Sequence, residues 1–240
     1  VYKGSTVGSI LSPFLLNTLI LVGLGTIVSI WVGVILGRET AWKRGKIADR
    51  LGSSFFLVFY CMPTFLFALF MLTLFAKFVP GWPISGAYSD DYYELGAFEK
   101  IADRGYHTMV PLFALVIETI ATFSIIARSS LIDVMTEEYM LTAVAKGLSG
   151  HDVLHKHAMP NAMLPVVTVV AMNVGWIVSG SIMIEAVFSY QGIGYLQYRA
   201  VMGYDYPLLQ ATFMLEAIAV IVANFIADIA ILKMDPRVRI

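Results

Sequence analysis

Glu118, Glu216 and Asp228 are carboxylates set inside long apolar stretches of a 240-residue chain in which only 14% of residues are charged. A carboxylate at the centre of a bilayer costs about 2.5 to 3.5 kcal/mol on translocon scales, so each must face a wet cavity or a polar partner. Such a group lines a transport pathway or pairs one helix with another, and it would equally suit a proton-coupled transporter or a channel. Asp228, close to Asn224 near the end of its stretch, suits the pairing role. Glu118 and Glu216 stay open between the two. Asn173, Ser179 and Ser181 offer further polar groups to a lumen or a helix interface.

His151, Asp152, His155 and His157 form the one cluster with metal-ligand residue types. On a helix His155 and His157 point to different sides, and the pair His151 and His155 lacks the Glu of a zinc-protease motif. No metal site is expected. A Gly-x-Ser-x-Gly elbow and a phosphate-binding loop are both missing, so neither hydrolase chemistry nor ATP hydrolysis is expected of this chain.

Composition dictates the scaffold that holds these groups. Hydrophobic residues make up 58% of the chain, beyond the roughly 45 to 50% of a soluble domain. Five stretches are long and apolar enough to cross a hydrocarbon core: 14–37, 51–79, 108–127, 164–188 and 208–232. The expected fold is therefore an all-α, multi-pass membrane protein, with residues 1–240 forming a single transmembrane domain. Cys61 is the single cysteine, so no disulfide forms within the chain, and a net charge of −1 suggests no nucleic-acid partner. The sequence begins at Val1 without Met or a signal pattern, and a further segment ahead of it is expected.

Loop charge sets the orientation. Arg38, Lys43, Arg44, Lys46 and Arg50 crowd loop 38–50, whereas loop 80–107 carries Asp90, Asp91, Glu94, Glu99 and Asp103. Lys and Arg resist translocation, which places the first loop and the tail holding Lys233, Arg237 and Arg239 in the cytoplasm. Ser12 and Pro13 read as the cap and first position of the first span, and Pro63 should kink the second near Tyr60. Residues 192–207, where glycines and aromatics alternate without a helical run, are expected to dip into the outer edge of the membrane. Tyr88, Asp90, Asp91, Tyr92 and Tyr93 suit recognition by an external partner.

Loop 128–163 is too long for a mere connection. Thr136 can cap a helix of about three turns whose first turn holds Glu137 and Glu138, and Met140, Val144 and Leu148 recur at four-residue spacing as an apolar ridge. Gly147 after Lys146 suits a left-handed C-terminal cap. Ser149 and Asp152 make a second capping signal, opening a segment toward Pro160. Two short helices around a glycine form an elbow that either docks in a partner's groove or lies on the headgroups.

The residues of this elbow carry a family resemblance. Glu138-Tyr139, Thr142-Ala143, Ala145-Lys146-Gly147-Leu148, His157-Ala158, Asn161-Ala162 and Leu164-Pro165 resemble the cytoplasmic signature of ABC importer permeases, in the B-type of the dipeptide, oligopeptide and nickel branch. Pro83-Ile84-Ser85-Gly86, Glu185-Ala186-Val187-Phe188-Ser189 with Gly192 and Gly194, Asp205-Tyr206-Pro207, and Asp235-Pro236-Arg237-Val238-Arg239 extend it along the chain. Val144 stands where that family often has a basic residue, and Gln191 where the branch usually has Pro. The family's N-terminal span and the external segment after it have no counterpart here.

The resemblance implies a type I ABC importer transmembrane domain at the cell membrane. It implies a second permease, giving a heterodimer, two ATPase subunits that hold ATP and Mg, and an extracytoplasmic binding protein that delivers a peptide, an oligosaccharide or nickel. No cofactor is expected on this chain, and bilayer lipid surrounds it. The segment 140–148 would be a coupling helix, with Glu138, Tyr139, Met140, Thr142, Ala143, Ala145, Lys146, Gly147, Leu148, His157 and Asn161 meeting the ATPase. Glu118, Asn173, Glu185, Glu216 and Asp228 would line the pathway or pair helices.

Overall fold

Backbone amides have no water to bond inside a bilayer, so a chain this apolar must close its hydrogen bonds within helices. A computed structural model describes residues 6–234, with the side chains of Val174, Trp176, Ala227, Asp228 and residues 230–234 outside the described set. Among the described residues every regular element is helical. Lys233, whose backbone alone is described, and the closing segment from Asp235 to Arg239 add no side-chain detail to the motif they carry.

The first rod runs through α1 (Val7–Thr18), a π-helical turn (Leu19–Gly23) and α2 (Leu24–Trp42). Its start differs from expectation, because Thr6 is the cap and Pro13 lies inside α1. Past the first turn, the proline leaves the Ser9 carbonyl without its helical donor, yet the helix continues to Thr18. Ser29, Gly33 and Gly37, at four-residue spacing, let α2 approach the long helix α5 (Ala97–Met135) closely. A Cβ on Gly33 would stand 2.7 Å from the Phe123 Cβ, and one on Gly37 2.5 Å from the Ser124 carbonyl. The hydroxyl of Ser29 donates to Val116 O at 3.3 Å, and that of Ser124 to Gly33 O at 3.1 Å. Small side chains bring backbones together where a bilayer supplies no hydrophobic drive for association.

The second span is broken rather than kinked. α3 (Ile47–Cys61) and α4 (Thr64–Phe78) meet at 101°. The residue before a proline is driven out of the helical region, so Met62 turns extended (ψ 127°) and Pro63 becomes the cap of α4. The pair nevertheless runs the width of the domain. Asp49, at the start of α3, bonds Arg128 of α5 at 2.8 Å. Thr64, at the break, bonds Glu118 near the centre of α5. Trp82, just past α4, packs its ring 4.2 Å from Tyr106. Arg128 and Tyr106 are separated on one continuous helix by about 33 Å at 1.5 Å per residue, the thickness of a hydrocarbon core of ~30 Å.

α5 has 39 residues, well beyond the 108–127 read from hydropathy. Polar ends extend it: Glu99 accepts from the Gly96 amide at 2.8 Å to open the helix, and Thr136 closes it. After α5 come α6 (Glu138–Ala145), α7 (Gly150–Asp152), a π-helical turn (Val153–Ala158) and α8 (Met159–Ser179). α9 (Ile182–Val187), α10 (Ile193–Met202) and α11 (Tyr206–Met234) complete the chain. The span read as 164–188 is interrupted at Gly180, whose φ of +74° and ψ of −178° suit a residue without a Cβ. Residues 193–202 form a regular helix, contrary to the expectation of none. Ile193, Gly194, Leu196, Gln197 and Ala200 turn one face inward, and the small and polar residues among them hide that periodicity.

Candidate functional site

Two regions gather the sequence-read residues: the elbow between α5 and α8, and a cleft at mid-membrane. In the elbow, Thr136 belongs to the preceding helix, since its hydroxyl donates to Asp133 O at 2.7 Å. Glu137 takes the cap position of α6, which makes two turns rather than three. The helix stops where expected. Ala145 is the last helical residue and Lys146 the C-cap, Gly147 adopts φ +77°, and its amide donates to Val144 O at 2.9 Å. Ser149 then accepts from the Asp152 amide at 3.1 Å, and its hydroxyl donates to the Asp152 carboxylate at 2.8 Å. The segment from Gly150 onward is not a separate short helix but the root of α8, continuous through the π-helical turn.

The expected ridge of Met140, Val144 and Leu148 splits between two faces. Met140 and Ala143 are buried against Ala41, Leu131, Val153, Leu154, Ala158 and Ala162, while Leu141 and Val144 are 71% and 60% exposed. A two-turn helix packed on its 140/143 side must carry position 144 outward, and Leu148 lies beyond its end. Glu138, Tyr139, Thr142, Ala145 and Lys146 are exposed with them. His157 is half-buried, and exposed Asn161 donates to His157 O at 2.9 Å inside the helix. His151 and His155 stack at 4.1 Å, and no three potential metal ligands gather among the described residues. The base is held firmly: Ser130 donates to Ala162 O at 2.7 Å, tying α5 to α8. Asp49, almost fully buried, accepts from Arg128, from the Gly45 amide at 2.9 Å and from Ser53 at 3.1 Å. Sequence reasoning missed Asp49, although an acid beside Lys46 and Arg50 in a basic run was a visible signal.

The cleft encloses about 220 Å³ and is lined by Thr26, Thr64, Glu118, Thr119, Asn173 and Ser181 among others. The α3/α4 and α8/α9 breaks both open onto it. Thr64 donates to Glu118, and Asn173 turns its amide to Val169 O at 2.8 Å within its own helix. Glu118 and Asn173 thus share one cavity. Glu185 and Glu216 lie elsewhere. Glu185 is fully buried, accepting from Thr18 at 3.0 Å, from the Tyr195 amide at 3.0 Å and from the Ser181 amide at 3.4 Å. A Cβ on Gly192 would fall 2.4 Å from both Glu185 and Thr18, which accounts for glycine there. Glu216 on α11 accepts from Gln197 on α10. Asp228 lies in α11 with its side chain outside the described residues.

At the end of the domain opposite the elbow, Gln191 accepts from the Ala87 amide at 2.6 Å through its side chain, and its carbonyl accepts from Asn17 at 2.8 Å. The side chain standing where the resembled branch has Pro is therefore an active contact. Arg104 lies over the rings of Tyr88 and Tyr92, at 5.6 and 5.0 Å. Burial, and then the neighbouring Tyr93, pushes the Tyr88 hydroxyl up to about 12, so it stays neutral. Asp103 accepts from the Ser89 amide at 3.0 Å and fixes the loop onto α5.

Known proteins resemble this chain in sequence and in fold. The chain is 32% identical to a probable peptide ABC transporter permease, y4tP, of Sinorhizobium fredii, over 100% of this chain and 74% of that protein. It is 34% identical to the peptidoglycan transport permease YejB of Agrobacterium fabrum over 88% of this chain, but only 59% of that relative's length, and 34% identical to the dipeptide permease DppB of Escherichia coli K12 over 87% and 66%. Its fold matches the inward-facing methionine ABC transporter MetNI with a TM-score of 0.75 at 16% identity, over 95% of this chain and 97% of that one. An elbow ended by Gly147 and four apolar spans, five with the bent pair α3 and α4, thus coincide among the described residues with a family match spanning residues 29–240, and the chain belongs to the binding-protein-dependent transport system inner membrane components.

Proposed function

We propose that this chain is one transmembrane subunit of an ATP-driven importer, that it forms part of a peptide pathway, and that it catalyses no reaction itself. The observation that carries this is the elbow. Leu141 and Val144 are exposed on a helix whose other face is locked into the domain, at the end bearing Lys43, Arg44, Lys46 and Arg50. Positive residues mark the cytoplasmic side, so the elbow, and the C-terminus after five crossings, face the cytoplasm. There the elbow seats in a groove of an ATPase subunit that holds ATP and Mg. ATP moves it because the closed ATPase pair binds ATP better than the open one, and that difference in affinity becomes gate position.

The opposite end, with Tyr88, Tyr92, Tyr93 and the acids Asp90 and Asp91, meets an external binding protein. A second permease completes the pathway. Relatives named for peptide and dipeptide transport support peptides as cargo, with oligosaccharides and nickel as the alternatives within the same architecture.

Reconstitution tests the proposal. The chain, a co-expressed permease, two ATPases and a binding protein are placed in proteoliposomes and offered labelled dipeptide. Uptake is expected only with every component and ATP present. Uptake by the permeases alone under a proton gradient would contradict it.

A further inference from the structure

We propose that the cleft at Glu118 is a cation subsite that receives the ammonium group of the transported substrate. This rests on the importer proposal and adds to it the chemistry of one contact. Three observations converge. Glu118 sits near the centre of α5, where a carboxylate is costly unless a wet cavity or a partner accepts it, and among the described residues its one side-chain bond is to the Thr64 hydroxyl. The cleft is lined by hydroxyls and an amide, and no Lys or Arg lines it among the described residues. Finally, both chain breaks open there. Each break presents one helix end and one helix start, α3 and α4 at Thr64 and α8 and α9 at Gly180, so the opposed dipoles largely offset and Glu118 sets the charge of the cleft.

The chemistry follows from that balance. The Thr64 hydroxyl uses one lone pair of the carboxylate and leaves others free to accept. An ammonium group donates three hydrogens and matches a carboxylate flanked by threonine hydroxyls, which accept as well as donate. An anion would face Glu118 at short range in a site of reduced dielectric, where like-charge repulsion is strongest. Glu185 lacks this capacity because donors from its own chain enclose it, and Glu216, which accepts from Gln197, does not line the cleft.

The test uses the assembled complex, with Cys61→Ser to remove the native thiol and Thr119→Cys as reporter in the cleft. Reaction rates are measured with a cationic reagent, 2-aminoethyl methanethiosulfonate, and an anionic one, 2-sulfonatoethyl methanethiosulfonate. The cation is expected to react faster, and Glu118→Gln to lower the cation-to-anion ratio about tenfold, the size of one close charge contact in a partly dry site. A ratio unchanged by Glu118→Gln would overturn the subsite. In parallel, dipeptide uptake is measured without the reporter. Glu118→Gln is expected to cut uptake at least fivefold while binding-protein-stimulated ATP hydrolysis persists, and Glu118→Asp to restore most of it. Uptake unaffected by Glu118→Gln would also overturn the proposal. If the unmodified complex moves no peptide, the peptide reading fails and the thiol ratio alone decides the cation preference.

Discussion

Gly147 has no atom within 4 Å of the point where a Cβ would stand, so space does not explain glycine at this position. The backbone does. A φ of +77° costs an L-residue about 1–2 kcal/mol, more for a β-branched one, whereas Asn adopts it readily. Gly147→Val should therefore shift the end of α6, leave membrane insertion intact and lower ATP-driven uptake at least fivefold with ATP hydrolysis retained. Gly147→Asn should keep more than half of wild-type uptake. Uptake and hydrolysis measured side by side check both, and wild-type uptake by the valine variant would remove the elbow's geometry from the mechanism. This residue was legible from sequence because its signal is local: a cation and then glycine after a helical run. Glu185 was legible only as a carboxylate within a motif, because its partner Thr18 arrives from the far end of the chain and Tyr195 from the helix that follows.

Among the elements, the bent pair α3 and α4 depends on anchors rather than on its own continuity. Asp49 and Arg128 fix the start of α3 to α5, with side chains 7% and 27% exposed. A charge pair so sheltered should show coupling of about 1–3 kcal/mol in a double-mutant cycle. Asp49→Asn and Arg128→Gln should each lower the melting temperature of the purified complex, and the double variant should lose less than the sum. Strict additivity would mean that the pair holds nothing. Hydropathy made the spans readable because transfer free energy sums along a sequence. It could not give their ends or breaks, which depend on single residues. Glu99 prolonged α5, Met62 left the helix because Pro63 follows, and Gly180 divided the fourth span. The inward face of α10 was obscured for the same reason, since its Gly and Gln are buried by tertiary contacts that hydropathy does not encode.

Across the domain, the two ends have different characters. The elbow end is basic, with a packed base and an apolar outward face; the other end is acidic and aromatic. Between them, apolar side chains such as Trp31, Phe70, Ile221 and Phe225 stand well exposed on the helices, as lipid or a second permease requires. The Glu118 cleft lies midway, between the breaks of two crossings. α5 and α8 join the elbow to the cleft, and the Ser130–Ala162 bond ties the two together. Site-directed cross-linking from the outward face of the elbow asks whether an ATPase grips it. With Cys61→Ser and Leu141→Cys in the assembled complex, paired with single cysteines along the ATPase groove, a disulfide to the ATPase should form, and its yield should change on adding ATP with hydrolysis blocked. Labelling of the same cysteine by a lipid-phase probe, with no cross-link to any ATPase position in either nucleotide state, would contradict it.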